Sequence, residues 1–108
     1  MTYDELLDYL RKLELHLRSS GVQYFFEEQS EDAKKRFVSL REEVSLDVEK
    51  LTTAKLEDIA DELEELSADL NSSINDLKSD LDALQEASAI LDALSSVLSI
   101  VGRILAFA

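Results

Sequence analysis

The chain has 108 residues, enough for one small domain, and carries 11 Lys and Arg against 24 Asp and Glu, a net charge of −13. That balance argues against nucleic acid as a direct ligand, because phosphate binding needs clustered cations. There is no cysteine, which excludes a disulfide framework and a thiolate zinc site, and no proline with only two glycines, which points to helix throughout.

The charge is uneven. Residues 37–70 carry 3 basic and 11 acidic side chains, so the centre of the chain could attract a basic partner. The plainer reading is a solvated face that keeps a small helical protein soluble. The N-terminal "MTYDELLDYL" has acids where a signal peptide needs bases, and no long apolar run. A cytoplasmic protein is expected.

The first predicted helix covers residues 2–20. Thr2 as N-cap and Glu5 three positions later form a capping box. Tyr3, Leu6, Leu10, Leu13 and Leu17 share one helical face, widened by Leu7. Gly21 suits a left-handed residue just beyond the helix, with Val22 packing back on Leu17.

The second helix runs to Leu51 from a start at either Val22 or Ser30. Ser30 followed by Glu31 and Asp32 is a cap with acids at the positive helix end. Phe26, Ala33, Phe37, Leu40 and Val44 fall on one face, and Val48 and Leu51 continue it. The aromatics Tyr24, Phe25 and Phe26 would make an interface anchor, although such a cluster more often plugs its own bundle.

Thr52 or Thr53 offers a weak cap for a long third helix over 53–107. From Leu56 to Leu105 the apolar positions follow heptad spacing, with an insertion at Leu70–Ile74 and a deletion at Leu84–Ala87. Unbroken, such a helix would be a rod of roughly 80 Å at 1.5 Å per residue. The chain must therefore fold back or self-associate. Asn71, Ser72, Ser73 and Asn75 are poor helix-interior residues, so a turn is expected at 71–75.

The closing stretch, "ILDALSSVLSIVGRILAFA", is the most informative. Ser88, Asp92, Ser95, Ser96, Ser99 and Arg103 form a narrow polar stripe. The remaining face is broad and apolar, and includes Leu91, Leu94, Leu98, Val101, Leu105 and Phe107. A helix so oily cannot stand free in water. Its own bundle, an oligomer seam or lipid could cover it. Against lipid, the run from Ala93 to Ala108 spans about 24 Å, short of a bilayer core of roughly 30 Å.

Chemistry-bearing motifs are scarce. His16 is the single histidine and has no ligand or base beside it. Asp69, Asn71, Ser73 and Asp80 have the spacing of a calcium loop, but Ile74 stands where glycine makes the turn. No cofactor or metal site is expected, and no enzyme. Glu57, Asp58, Asp61, Glu62 and Glu65 lie opposite Leu56, Ile59, Leu63 and Leu66, with almost no Lys or Arg to pair with. Their mutual repulsion at i, i+4 is the one argument for a docking face.

The expected fold is all-α: a single domain over 1–108, either an antiparallel bundle or a long-helix coiled coil, with three to four helices. The expected function is a non-enzymatic interaction or self-association module, with the C-terminal helix buried in its own bundle or in a homo-oligomer. One alternative is a membrane-associated protein that inserts residues 88–108. Another is an acidic adaptor, chaperone or inhibitor that docks a basic protein.

Overall fold

A computed structural model describes residues 1–107, and among these the chain forms five helices and no strand. Helix α1 (Tyr3–Leu17) starts with the expected capping box: Thr2 Oγ1 accepts from the Glu5 amide at 3.2 Å, and Glu5 accepts from the Thr2 amide at 3.0 Å. Leu6, Leu10, Leu13 and Leu17 are buried on one face. The helix stops earlier than expected. The Arg18 and Ser19 amides close its last turn on the Leu15 and His16 carbonyls, and Ser19 is extended.

Gly21 is therefore no left-handed cap. It lies inside a short helix α2 (Ser20–Glu27), and no glycine has a positive φ. Val22 and Phe26, one turn apart, are the buried residues that hold α2 down. Helix α3 (Glu31–Thr53) then begins at Ser30, whose hydroxyl accepts from the Ala33 amide. Thr52 and Thr53 do not cap the next helix. Their hydroxyls donate backwards, to the carbonyls of Val48 at 2.7 Å and Lys50 at 3.1 Å, and finish α3.

Ala54 and Lys55 are extended, and α4 (Leu56–Ala83) follows. It passes straight through Asn71, Ser72, Ser73 and Asn75, so the expected turn at 71–75 is absent. The propensity cost of such residues is a few tenths of a kcal/mol each. Burial of Leu70, Leu77 and Leu81 on the same helix outweighs it. The break comes instead at residues 84–86, where the apolar register loses a residue. Leu84 takes the left-handed conformation (φ 47, ψ 50), and its amide closes the helix on the Asp80 carbonyl at 3.0 Å. Helix α5 (Ala87–Leu105) then folds back along α4.

The expected long helix over 53–107 is thus two helices, and the second segment is also two, giving five where three to four were expected. The 28 residues of α4 set the long axis of a body measuring 43 × 23 × 20 Å, which excludes the extended rod. α5 packs against both α4 and α3, and α1 lies on α3 with a smaller contact on α4. Ile90, Leu91, Leu94, Val97, Leu98, Val101 and Ile104 of α5 are all buried, so most of the oily face is covered by the chain's own helices.

Candidate functional site

Val44, Asp47 and Leu51 fall on the inward face of α3, and all three are buried. A carboxylate thus occupies a core position. Asp47 is only 5% exposed, and its Oδ2 has no hydrogen-bond partner among the described residues. Burial pushes its carboxyl up to about 6, the nearby Glu43 adds to the rise, and Lys50 opposes it.

Asp47 lines an open cleft of about 590 Å³ where three helix ends meet. Glu43, Lys50 and Thr53 come from α3, Lys55 and Asp58 from the turn and the first turn of α4. The opposite wall is Gly102, Leu105 and Ala106, at the end of α5. The last turns of α3 and α5 both direct carbonyl oxygens towards this end of the molecule, and Lys50 and Arg103 in those turns offset part of the negative potential. The positive pole of α4 is already offset by its own Glu57 and Asp58.

Asp47 was not singled out from the sequence. Its signal was there: it stands three residues after Val44 and four before Leu51, the spacing of a buried stripe. The neighbouring Val48 also fits that stripe and hides the carboxylate.

No family model, curated protein or solved structure matches this chain.

The residues singled out from the sequence fall in three places. Glu57, Asp58, Asp61 and Glu65 are exposed on α4 and Glu62 is half-buried; none of them is in an ion pair among the described residues. Only Asp58 reaches the Asp47 cleft. On α5, Leu91, Leu94, Leu98 and Val101 are buried, Leu105 is half-buried on the cleft wall, and Phe107 is 56% exposed.

The aromatic cluster is divided. Phe26 is buried and stacks on Phe37, with ring centres 4.1 Å apart and planes 7° from parallel, while Phe25 meets Phe26 edge-on. Arg41 sits over Phe37 and donates to Gln23 Oε1 at 3.0 Å. Phe26 therefore plugs its own core, and Tyr24 alone of the three is exposed.

A second, more apolar groove lies between the start of α1 and α4, lined by Met1, Tyr3, Leu56, Ala60 and Leu63. Leu56 is exposed here, although the heptad spacing placed it in the core. Helix α4 starts at Leu56, so no preceding turn covers that side chain. Among the described residues no group of three or more His, Asp or Glu is placed to hold a metal ion.

Proposed function

We propose that this chain is a non-enzymatic interaction module that keeps α5 as its internal spine and docks a basic segment of another protein. The observation that carries this reading is the row of α4 carboxylates running into a cleft that contains Asp47, all without a cationic partner among the described residues. Glu57 and Asp61, Asp58 and Glu62, and Asp61 and Glu65 stand one turn apart, each pair repelling by about 0.2–0.5 kcal/mol. A basic partner relieves that repulsion on binding and is steered towards the face over a distance set by the ionic strength.

The test is fluorescence anisotropy of a labelled Lys/Arg-rich peptide against the full chain. Binding is expected to weaken with salt and to fall when Glu57, Asp58, Asp61, Glu62 and Glu65 are changed to their amides. Equal binding by the amide variant would remove the docking face.

A second reading rests on α5 itself. Its 19 residues have a mean hydropathy of 1.6, long and apolar enough to cross a membrane, while 44% of that stretch is buried inside the fold. Insertion would require α5 to leave α3 and α4. Flotation with anionic and neutral liposomes separates the two readings: a docking module stays out of the lipid fraction, and an inserting one enters it. Self-association as a homo-oligomer is a further proposal. With most of the apolar face of α5 covered, it draws on Leu56 and Phe107, and light scattering of the full chain tests it.

A further inference from the structure

We infer that the cleft around Asp47 is the seat for a single long basic side chain of the partner, an ammonium or guanidinium carried on an aliphatic stem. This rests on the reading of the chain as a module for a basic partner, and it names where that partner is gripped.

Three observations on different elements converge. Asp47 is nine-tenths buried, lines the cleft, and has an oxygen without a hydrogen-bond partner among the described residues. A buried carboxylate left unpaired is costly, and a cation seated in the cleft stabilises its charge even though Oδ2 itself is closed to solvent. Glu43 and Asp58 stand on the same cleft and, with Asp47, outnumber Lys50 and Lys55. The negative poles of α3 and α5 point to the same end, offset in part by Lys50 and Arg103 in their last turns.

The shape of the cleft selects the stem. One wall is Gly102, Leu105 and Ala106, none of which carries a polar side chain. A Cβ added at Gly102 would meet nothing within 4 Å among the described residues, so they leave the space beside that backbone open. Lys and Arg bury their methylene stems along apolar surface while the charged head seeks an anion. A bare inorganic cation would leave that wall unused. The volume of about 590 Å³ lies within the ~300–1,000 Å³ of small-ligand sites.

The probes are end-blocked tripeptides Gly-Lys-Gly and Gly-Arg-Gly, titrated into the full chain and followed by backbone amide shifts. Gly-norleucine-Gly supplies the stem without the charge, and ammonium chloride the charge without the stem. Saturable shifts are expected for the basic tripeptides alone, centred on Thr53, Lys55, Gly102 and Ala106. Asp47→Asn removes the anion and should weaken binding by about tenfold or more. Gly102→Leu keeps every charge, favours the helix and fills the cleft, so it should block binding in a folded chain. The inference is overturned if no shift saturates, if norleucine binds as well as lysine, or if both variants bind like the parent chain. If the tripeptides leave the cleft unmoved while the longer basic peptide still binds the α4 carboxylates, the cleft fails and the docking module stands. If both are silent, both fall.

Discussion

The guanidinium of Arg36 lies 2.9 Å from Oδ1 of Asp92 and ties the first turns of α3 to those of α5. At the other end of the same two helices, Asp47 and Thr53 share a cleft with Gly102 and Ala106. The two helices therefore run side by side in the same direction. The ion pair marks their register, but both side chains remain exposed, 44% and 71%. Solvent screening limits such a pair to about 0.2–1 kcal/mol. A double-mutant cycle with Arg36→Ala and Asp92→Ala, read by urea denaturation, should return a coupling in that range that shrinks in high salt. A coupling of several kcal/mol would contradict the exposure.

Asp47 should make the chain less stable as pH rises through weak acidity. Its carboxyl is raised from 3.8 to about 6 in the folded chain. The folded state thus keeps the proton to a higher pH than the unfolded state does. Below about pH 4 both states are protonated and nothing is lost; between about 4 and 6 the folded state is progressively penalised; above that the loss is complete. Asp47→Asn should then be more stable than the parent chain at pH 7.5, by about 1–2 kcal/mol once solvent in the cleft is allowed for, and nearly equal to it at pH 4. Thermal melts of both chains at the two pH values measure this. An Asn variant that is less stable at pH 7.5 would show that the carboxylate is paired.

The helical class and most of the core were legible because leucines at heptad spacing can be buried only on a helix face. The capping residues Thr2 and Ser30 were legible for the same local reason: a side-chain oxygen next to a free amide. The places where helices stop were harder to read. Asn71–Asn75 looked like a turn by propensity, yet burial of Leu70 and Leu77 on either side holds the helix together. Leu84 looked like a core residue in a continuous register, yet it is the residue that bends the chain. Asp47 was hidden because its neighbour Val48 satisfies the same stripe. What a buried carboxylate faces depends on α5, 55 residues further on, and no local pattern carries that information.

Leu94 tests whether α5 is a structural core. It has no exposed surface, whereas Phe107, on the same sequence stretch, is 56% exposed. Leu94→Ala should cost about 2–5 kcal/mol. Phe107→Ala should change stability by no more than about 0.5 kcal/mol. Both are read from urea midpoints at constant slope. If Leu94→Ala were as mild as Phe107→Ala, α5 would not be packed inside the chain.

Proline can locate the break between α4 and α5. Ala87 is the first residue of α5, and the amide of a first helical residue has no intrahelical acceptor. Glu86 before it is extended (φ −123, ψ 114), the conformation that a following proline favours. Ala87→Pro should therefore stay within about 0.5 kcal/mol of the parent chain or gain slightly, because it restricts the unfolded state. Ser73 lies in the interior of α4, where proline removes a helix hydrogen bond and clashes with the preceding turn. Ser73→Pro should cost about 3 kcal/mol or more. A turn at residues 71–75 would reverse the order, with proline tolerated at Ser73 and disruptive at Ala87. Comparing the two variants by helical circular dichroism and urea midpoint thus decides where the chain folds back, and with it whether Gly102 and Asp47 can line one cleft.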